Sequence, residues 1–203
     1  MVSNDNKQFW EKCAKFYGPI QERSNRKLYH ELAQSCESFV EDVSVLEIAC
    51  GTGQLTAPLA PLAQSWIATD FSERMVSETS KNCPNIQTEI QDVTCLTYPD
   101  ESFDLVLIGN ALHIMPDPQT ALREIKRVLK PGGILLAPTF VYEGKVNRIR
   151  MALTTAVGFK SFYEWTLGEF TDCIREPGFI VIYEELIPGD PLPEAFVAAK
   201  KPA

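Results

Sequence analysis

The chain has 203 residues, 45% of them apolar and 23% charged, which is enough for one α/β domain and short for two. A formal charge of −8 argues against nucleic-acid binding, because that affinity comes from basic side chains that release counterions from phosphate. Six cysteines with no C-x-x-C pair and only two histidines argue against a metal centre or a disulfide framework, and no apolar run approaches the ~18 residues of a membrane span.

The first eight residues are polar and lack the apolar core of a signal peptide, so a cytoplasmic protein is expected. Residues 5–17 and 24–40 read as helices; in the second, Leu28, Leu32, Cys36 and Val40 recur at every fourth position and form one apolar stripe. Strands and helices then alternate. A strand over 43–49 leads through a glycine turn into a helix over 54–64, where Pro61 should bend or shorten the helix. A strand over 65–69 is followed by a helix over 72–82 with Ser72 as its N-cap. Strands at 86–91 and 103–109 come next.

The following helix carries both end signals: Asp117 as cap with Pro118 at its first position, and Lys130-Pro131-Gly132-Gly133 as its stop. A strand over 134–138 and helices near 146–157 and 166–175 follow. The last two strands, 179–187 and 194–200, are joined by Pro188-Gly189-Asp190-Pro191, a link short enough for an antiparallel hairpin. Alternating strands and helices predict a mostly parallel sheet with helices on both faces, a Rossmann-like α/β architecture. In such sheets ligands bind beyond the carboxyl ends of the strands, here the loops at 50–53, 70–71, 92–93 and 110–116. One domain is expected over 1–203, with a helical cap over 1–40, a cofactor-binding core over 41–140, and substrate-side helices with the terminal hairpin over 141–203.

Three features of that edge carry chemistry. Glu47 stands in the apolar run Val45-Leu46-Glu47-Ile48-Ala49, where a charge costs several kcal/mol unless something compensates for it. Gly51 and Gly53 follow and let the backbone approach a ligand, but a dinucleotide fingerprint needs a third glycine where Thr56 stands, so the pair alone reads equally as a tight turn. Asp70 ends the second strand, placed either for a ribose diol or to cap the next helix. Asp92 ends the third, placed to accept from an exocyclic amine or to sit as a solvated loop acid.

Taken together, these segments resemble the class I S-adenosylmethionine-dependent methyltransferases. Leu46–Gly53 matches the first motif of that family, Asp70 its ribose-binding acid, Gln91-Asp92-Val93 its adenine-contacting segment, Phe103–Val106 its fourth strand and Leu129–Gly133 the turn into its fifth. The similarity covers about residues 40–140 and continues weakly to the end. One departure is Ala49, where the family usually has glycine; it narrows the approach of the methionine moiety. Asn110–Met115 and Phe16–Ile20 resemble the ubiquinone/menaquinone-methyltransferase-like branch (methyltransferase type 11 domain), some of whose bacterial relatives are labelled phospholipid N-methyltransferases. The resemblance implies a seven-stranded sheet of order 3-2-1-4-5-7-6 with its last strand antiparallel. It also implies an S-adenosylmethionine site built from Glu47, Ala49, Cys50, Gly51, Gly53, Asp70, Phe71, Met75, Asp92, Val93 and Asn110, with Glu47 at the methionine end and Phe71 or Met75 beside the adenine.

The expected reaction is an in-line displacement of the methyl group by a small-molecule or lipid-like acceptor, in a monomer or homodimer, with no nucleic acid and no integral membrane segment. His113 is the candidate base, its alternative being a structural histidine; Tyr17 is the second candidate, its alternative a core aromatic. The aromatics Phe140, Tyr142, Phe159, Phe162, Tyr163 and Trp165, with Phe9, Trp10 and Phe16, could wall an acceptor pocket or fill a core. The basic stretch 145–150 reads as a solvated helix face, although Arg148 and Arg150 could meet an anionic acceptor. Two other classes stay open: a cofactor-binding module without catalysis, and a nicotinamide-dependent oxidoreductase, against which Thr56 argues.

Overall fold

A computed structural model describes residues 25–144 and 161–203. Tyr17, Phe9, Trp10, Phe16, Phe159, the basic stretch 145–150 and the helices expected over 5–17 and 146–157 lie outside the described residues.

Helix α1 (Arg26–Val40) leads into strand β1 (Ser44–Ile48). Helix α2 (Thr56–Leu59) and strand β2 (Ser65–Asp70) follow, then helix α3 (Glu73–Asn82), strand β3 (Gln87–Ile90) and strand β4 (Phe103–Ile108). Helix α4 (Pro118–Val128), strand β5 (Leu129–Phe140), helix α5 (Leu167–Arg175) and the strands β6 (Ile180–Ile187) and β7 (Glu194–Lys200) complete the described chain. The seven strands form one sheet in the order β3-β2-β1-β4-β5-β7-β6, parallel except for β7, which runs antiparallel to both of its neighbours. The expected Rossmann-like architecture and strand order are therefore present. No described helix is long and apolar enough to cross a membrane.

Strand alternation divides the core in two. Leu46 and Ile48 of β1, Val106 and Ile108 of β4, and Leu135 and Ala137 of β5 face α4 and α5, burying Leu122, Ile125, Phe170 and Ile174. Val45, Leu105, Leu107, Leu136, Phe196 and Ala198 face the other way, onto Leu28, Leu32, Cys36 and Val40 of α1 and Leu55 and Leu59 near α2. The four residues of the α1 stripe are all buried, as their spacing predicts.

Two elements differ from expectation. The helix expected over 54–64 is four residues of α2 followed by a 3-10 turn, Ala60–Leu62. Pro61 lacks the N–H that would continue the ladder, and its ring crowds the carbonyl four residues back. Strand β5 starts at Leu129, directly where α4 ends, rather than at residue 134. Its pairing jumps from Phe103↔Leu129 to Leu105↔Ile134, so the Pro-Gly-Gly segment is an irregularity inside the strand. Glycine is required there: a Cβ on Gly133 would lie 2.9 Å from the Lys130 carbonyl oxygen and 3.0 Å from that of Asp104.

Candidate functional site

A cavity of about 980 Å³, counting its open mouth, lies at the carboxyl ends of β1, β2 and β4, where open α/β sheets bind their ligands. One side is the turn after β1 and the start of β2's loop: Glu47, Ala49, Cys50, Gly51, Asp70, Phe71 and Met75 line it. Gln91 and Val93 close it beside β3, and Asn110, Ala111, Ile114 and Met115 form the opposite wall after β4.

The glycine turn is set by three left-handed residues in five: Ala49 at φ +56°, Gly51 at +58° and Gly53 at +90°. It is held from both sides. The Asp70 carboxylate accepts from the Gly51 N–H at 3.1 Å and the Ser72 N–H at 2.9 Å, so it ties the turn to the end of β2 and the start of α3. The Thr79 hydroxyl donates to the Gly51 carbonyl at 2.9 Å, and the Asn82 amide donates to the Thr52 carbonyl at 2.9 Å, so α3 grips the turn from below. Asp70 therefore lies on the cavity wall and also organises the start of α3, while Ser72 caps that helix by accepting from the Met75 N–H. Burial pushes the Asp70 carboxyl up to about 6, against the pull of the Ser72 and Gly51 N–H groups.

Glu47 has internal compensation for its place in the strand. Its Oε2 accepts from the Thr56 hydroxyl at 2.6 Å and the Trp66 indole N–H at 2.9 Å, and it is 3% exposed. Burial still pushes its carboxyl up to about 7, with Asp70 adding to the rise and the two donors opposing it. Thr56, which denies the chain a dinucleotide glycine, is thus the partner of the strand's buried acid.

Three expected site residues lie elsewhere. Gly53 is not on the cavity; a Cβ there would meet the Cys83 sulfur at 3.2 Å, so this glycine lets α3 pack against the turn. Asp92 is also absent from the lining: its Oδ1 accepts from the Thr94 N–H at 2.9 Å and the Thr94 hydroxyl at 2.7 Å, closing a local turn, while its neighbours Gln91 and Val93 face the cavity. His113 is 2% exposed and likewise off the cavity, with Nδ1 at 2.8 Å from the Thr139 hydroxyl and its ring edge-on to Phe140. Burial pushes His113 down to about 4, so at neutral pH it is an uncharged, sequestered imidazole, an arrangement that favours the structural alternative for this residue. Among the aromatics, Tyr163 stacks on Trp165 at 4.6 Å and Trp165 leans on Phe170 of α5, which is core packing.

Sequence reasoning did not single out Tyr29, Gln54 and Leu55, which line the cavity, or Glu194, which is buried behind Asn110. Tyr29 lies off the apolar stripe of α1, so periodicity gave no sign of it. Glu194 is 84 residues from Asn110, whose side-chain amide donates to Glu194 Oε1 at 2.8 Å.

Comparisons with known proteins agree with this geometry. Residues 46–137 match the methyltransferase domain family. The chain is 42% identical over 97 residues to a demethylmenaquinone methyltransferase of Lactobacillus johnsonii, covering 43% of this chain and 40% of that protein. It is 34% identical over 137 residues to one of Staphylococcus haemolyticus, covering 59% and 57%. The chain thus spans less than two thirds of the length of these curated relatives. In fold it is similar to a SAM-dependent methyltransferase of Thermotoga maritima, with a TM-score of 0.77 at 23% identity over 95% of this chain and 99% of that one. With its glycine turn, the strand-end Asp70 and its sheet order in place, residues 46–137 form a methyltransferase domain similar to those of the demethylmenaquinone methyltransferases.

Proposed function

We propose that this protein transfers the methyl group of S-adenosylmethionine to a small-molecule acceptor that binds against the β4 side of the cavity. The observation that carries the reading is the two-sided cavity. A glycine turn with buried acids forms one wall, and the largely apolar Asn110–Met115 segment forms the other.

The residues present fit the cofactor. The left-handed turn at Ala49–Gly53 leaves the backbone open beside the cavity, and a Cβ built on Gly51 would meet only the Gln54 side chain, at 3.8 Å. Glu47 and Asp70 bring two carboxyl groups to the same wall, suited to an amine and a ribose diol, while Phe71, Met75 and Val93 offer apolar surface for a purine. When bound, S-adenosylmethionine supplies a methyl group already activated on a sulfonium.

The chain's task is then orientation. Holding an acceptor in line with the methyl group is worth up to ~7–11 kcal/mol in favourable cases, and excluding water protects the site. No described residue lining the cavity is a histidine, and the titratable side chains that do line it are Glu47, Asp70, Cys50 and Tyr29. The wall of Ala111, Ile114 and Met115 suits a flat apolar acceptor, such as the quinol ring implied by the names of the bacterial relatives; a lipid-like acceptor fits the same wall. We read the protein as cytoplasmic, a monomer or homodimer.

Titration calorimetry with S-adenosylmethionine and S-adenosylhomocysteine is the first test, with micromolar-range binding expected. A screen of quinol, phenol and lipid acceptors that reads S-adenosylhomocysteine release is the second. Absence of binding to both compounds would overturn the reading, and binding without turnover of any acceptor would favour a cofactor-binding module.

A further inference from the structure

Glu194 opens β7 and is completely buried, yet no residue of the proposed reaction uses it. It sits at the ligand edge of the sheet, because β7 runs antiparallel and begins where the parallel strands end; its register partners are Phe140 of β5 and Ile187 of β6. One bond is in place, from Asn110 Nδ2 to Glu194 Oε1 at 2.8 Å. The remaining oxygen of each group, Asn110 Oδ1 and Glu194 Oε2, is buried with no partner. Two orphaned buried oxygens are costly, and both are acceptors, so no rotation or amide flip repairs the pair. A single proton does. A carboxylic acid and a primary amide close a ring in which the amide N–H meets the acid carbonyl and the acid O–H meets the amide carbonyl.

We infer that Glu194 is a neutral carboxylic acid paired in this cyclic way with Asn110, and that the pair locks Asn110 at the cavity wall with its second N–H offered to a lone pair of the bound ligand. The surroundings agree. Among the described residues the Asn110 amide from the end of β4 acts on Glu194, Glu194 in turn raises the Cys36 thiol of α1, and Phe140 and Ile187 flank it with apolar surface. Cys36 in turn feels Glu37 and Glu47, and burial holds its thiol protonated. Burial pushes Glu194 up to about 8 against the Asn110 bond, so the acid keeps its proton at neutral pH. Asn110 itself is held at φ +54°, with its N–H on the Pro138 carbonyl at 2.8 Å, a conformation that asparagine tolerates better than most residues and that aims the side chain back toward β7.

The lock has a chemical consequence, which rests on the methyltransferase reading. With Oδ1 and one N–H consumed, Asn110 presents a donor and no acceptor. The group that meets it on the acceptor side carries a lone pair, such as a hydroxyl, phenolate or carbonyl oxygen, and is not an ammonium.

The test uses the whole protein. Isotope-edited infrared spectra near neutral pH should contain a buried protonated carboxyl that disappears in Glu194→Gln, and the two side-chain N–H protons of Asn110 should exchange at different rates, one protected and one open to the cavity. Glu194→Gln supplies an N–H where the acid had its O–H, so it should keep the unequal exchange of the two Asn110 N–H protons, while Glu194→Ala should abolish the difference. Glu194→Gln should also flatten the fall in stability as pH rises from about 5 to 8. An ionised Glu194 at neutral pH, equal protection of both amide protons, or a Gln variant that loses the difference as the Ala variant does would overturn the inference. If wild type fails to bind S-adenosylhomocysteine, the methyltransferase reading falls, and the infrared, exchange and pH measurements still decide the pair.

Discussion

The two walls of the cavity are built on opposite plans. On the β1–β2 side the buried polar groups are tied to protein donors close by in sequence or on the next strand: Glu47 by Thr56 and Trp66, Asp70 by Gly51 and Ser72, the Gly51 carbonyl by Thr79. On the β4–β7 side, Asn110 and Glu194 meet across 84 residues and leave two acceptor oxygens without a partner. The first wall is complete without a ligand, so binding there costs little reorganisation. The second is completed only by a proton on Glu194, which leaves one Asn110 N–H for what the cavity receives.

If the first wall is a preformed cradle, removing its central tie should have the largest effect of any single change. Asp70→Ala frees the Gly51 and Ser72 N–H groups and removes the proposed ribose ligand; the expected loss is about a hundredfold or more in S-adenosylhomocysteine affinity and about 2–4 kcal/mol in stability. Calorimetry and urea unfolding read the two effects separately, and an affinity drop under about tenfold would place the cradle's strength elsewhere. Glu47→Ala should cost about 2–4 kcal/mol by leaving the Thr56 hydroxyl and Trp66 indole unpaired, with Glu47→Gln recovering part of it. A loss under about 0.5 kcal/mol would mean water enters and satisfies both donors.

The same contrast explains what could be read in the sequence. The β1–β2 wall was legible because its groups fall at strand ends of an alternating pattern, where spacing alone puts Gly51 and Asp70 at one edge. The helix stripe Leu28-Leu32-Cys36-Val40 and the caps at Ser72 and Asp117 were legible for the same reason: each is a local geometry. The partner of Asp92 was less legible, because a strand-end acid can also close its own turn, here with Thr94, two residues on. The surroundings of His113 were not legible, because following β4 does not say which way a side chain turns, and this one meets Thr139 and Phe140. Glu194 carried no signal at all; its role depends on an antiparallel strand bringing it back to the edge.

Both walls contain acids held above their ordinary range, so pH tests the comparison at once. Glu47 stands at about 7, Asp70 at about 6 and Glu194 at about 8, each raised chiefly by burial. A raised acid keeps its proton in the fold after the unfolded chain has lost it. Its contribution is full below the ordinary carboxyl range, and it is lost as pH climbs through the folded value. Stability should fall by about 2 kcal/mol or more between about pH 5 and pH 8, then level off. Thermal unfolding across that range checks it, and a stability that rises with pH would mean that the acids are ionised and paired.

His113 belongs to neither wall and packs on Thr139 and Phe140. As a packed imidazole, its replacement by Gln should cost about 1–1.5 kcal/mol, while the folded variant's turnover stays within about threefold of wild type. A positioned base contributes about a hundredfold or more, so a loss of that size with unchanged cofactor affinity would restore it to the reaction.

The smallest expected effect is at Ala49, where the first wall departs from its family's usual glycine. Ala49 lines the cavity at φ +56°, the same left-handed region as Gly51 at +58°. An L-residue there costs about 1–2 kcal/mol because its Cβ crowds the following carbonyl. Glycine removes that strain but gives back about 0.4–1 kcal/mol through the greater freedom of the unfolded chain. Ala49→Gly should therefore stabilise the protein by about 0.5 kcal/mol in urea unfolding and change S-adenosylmethionine affinity by less than about twofold. The turn keeps its shape without the glycine because Asp70, Thr79 and Asn82 hold the two residues that follow Cys50. A gain in affinity of about tenfold or more would instead mean that the single Cβ of Ala49 stands in the ligand's way, and that the first wall is less finished than its hydrogen bonds suggest.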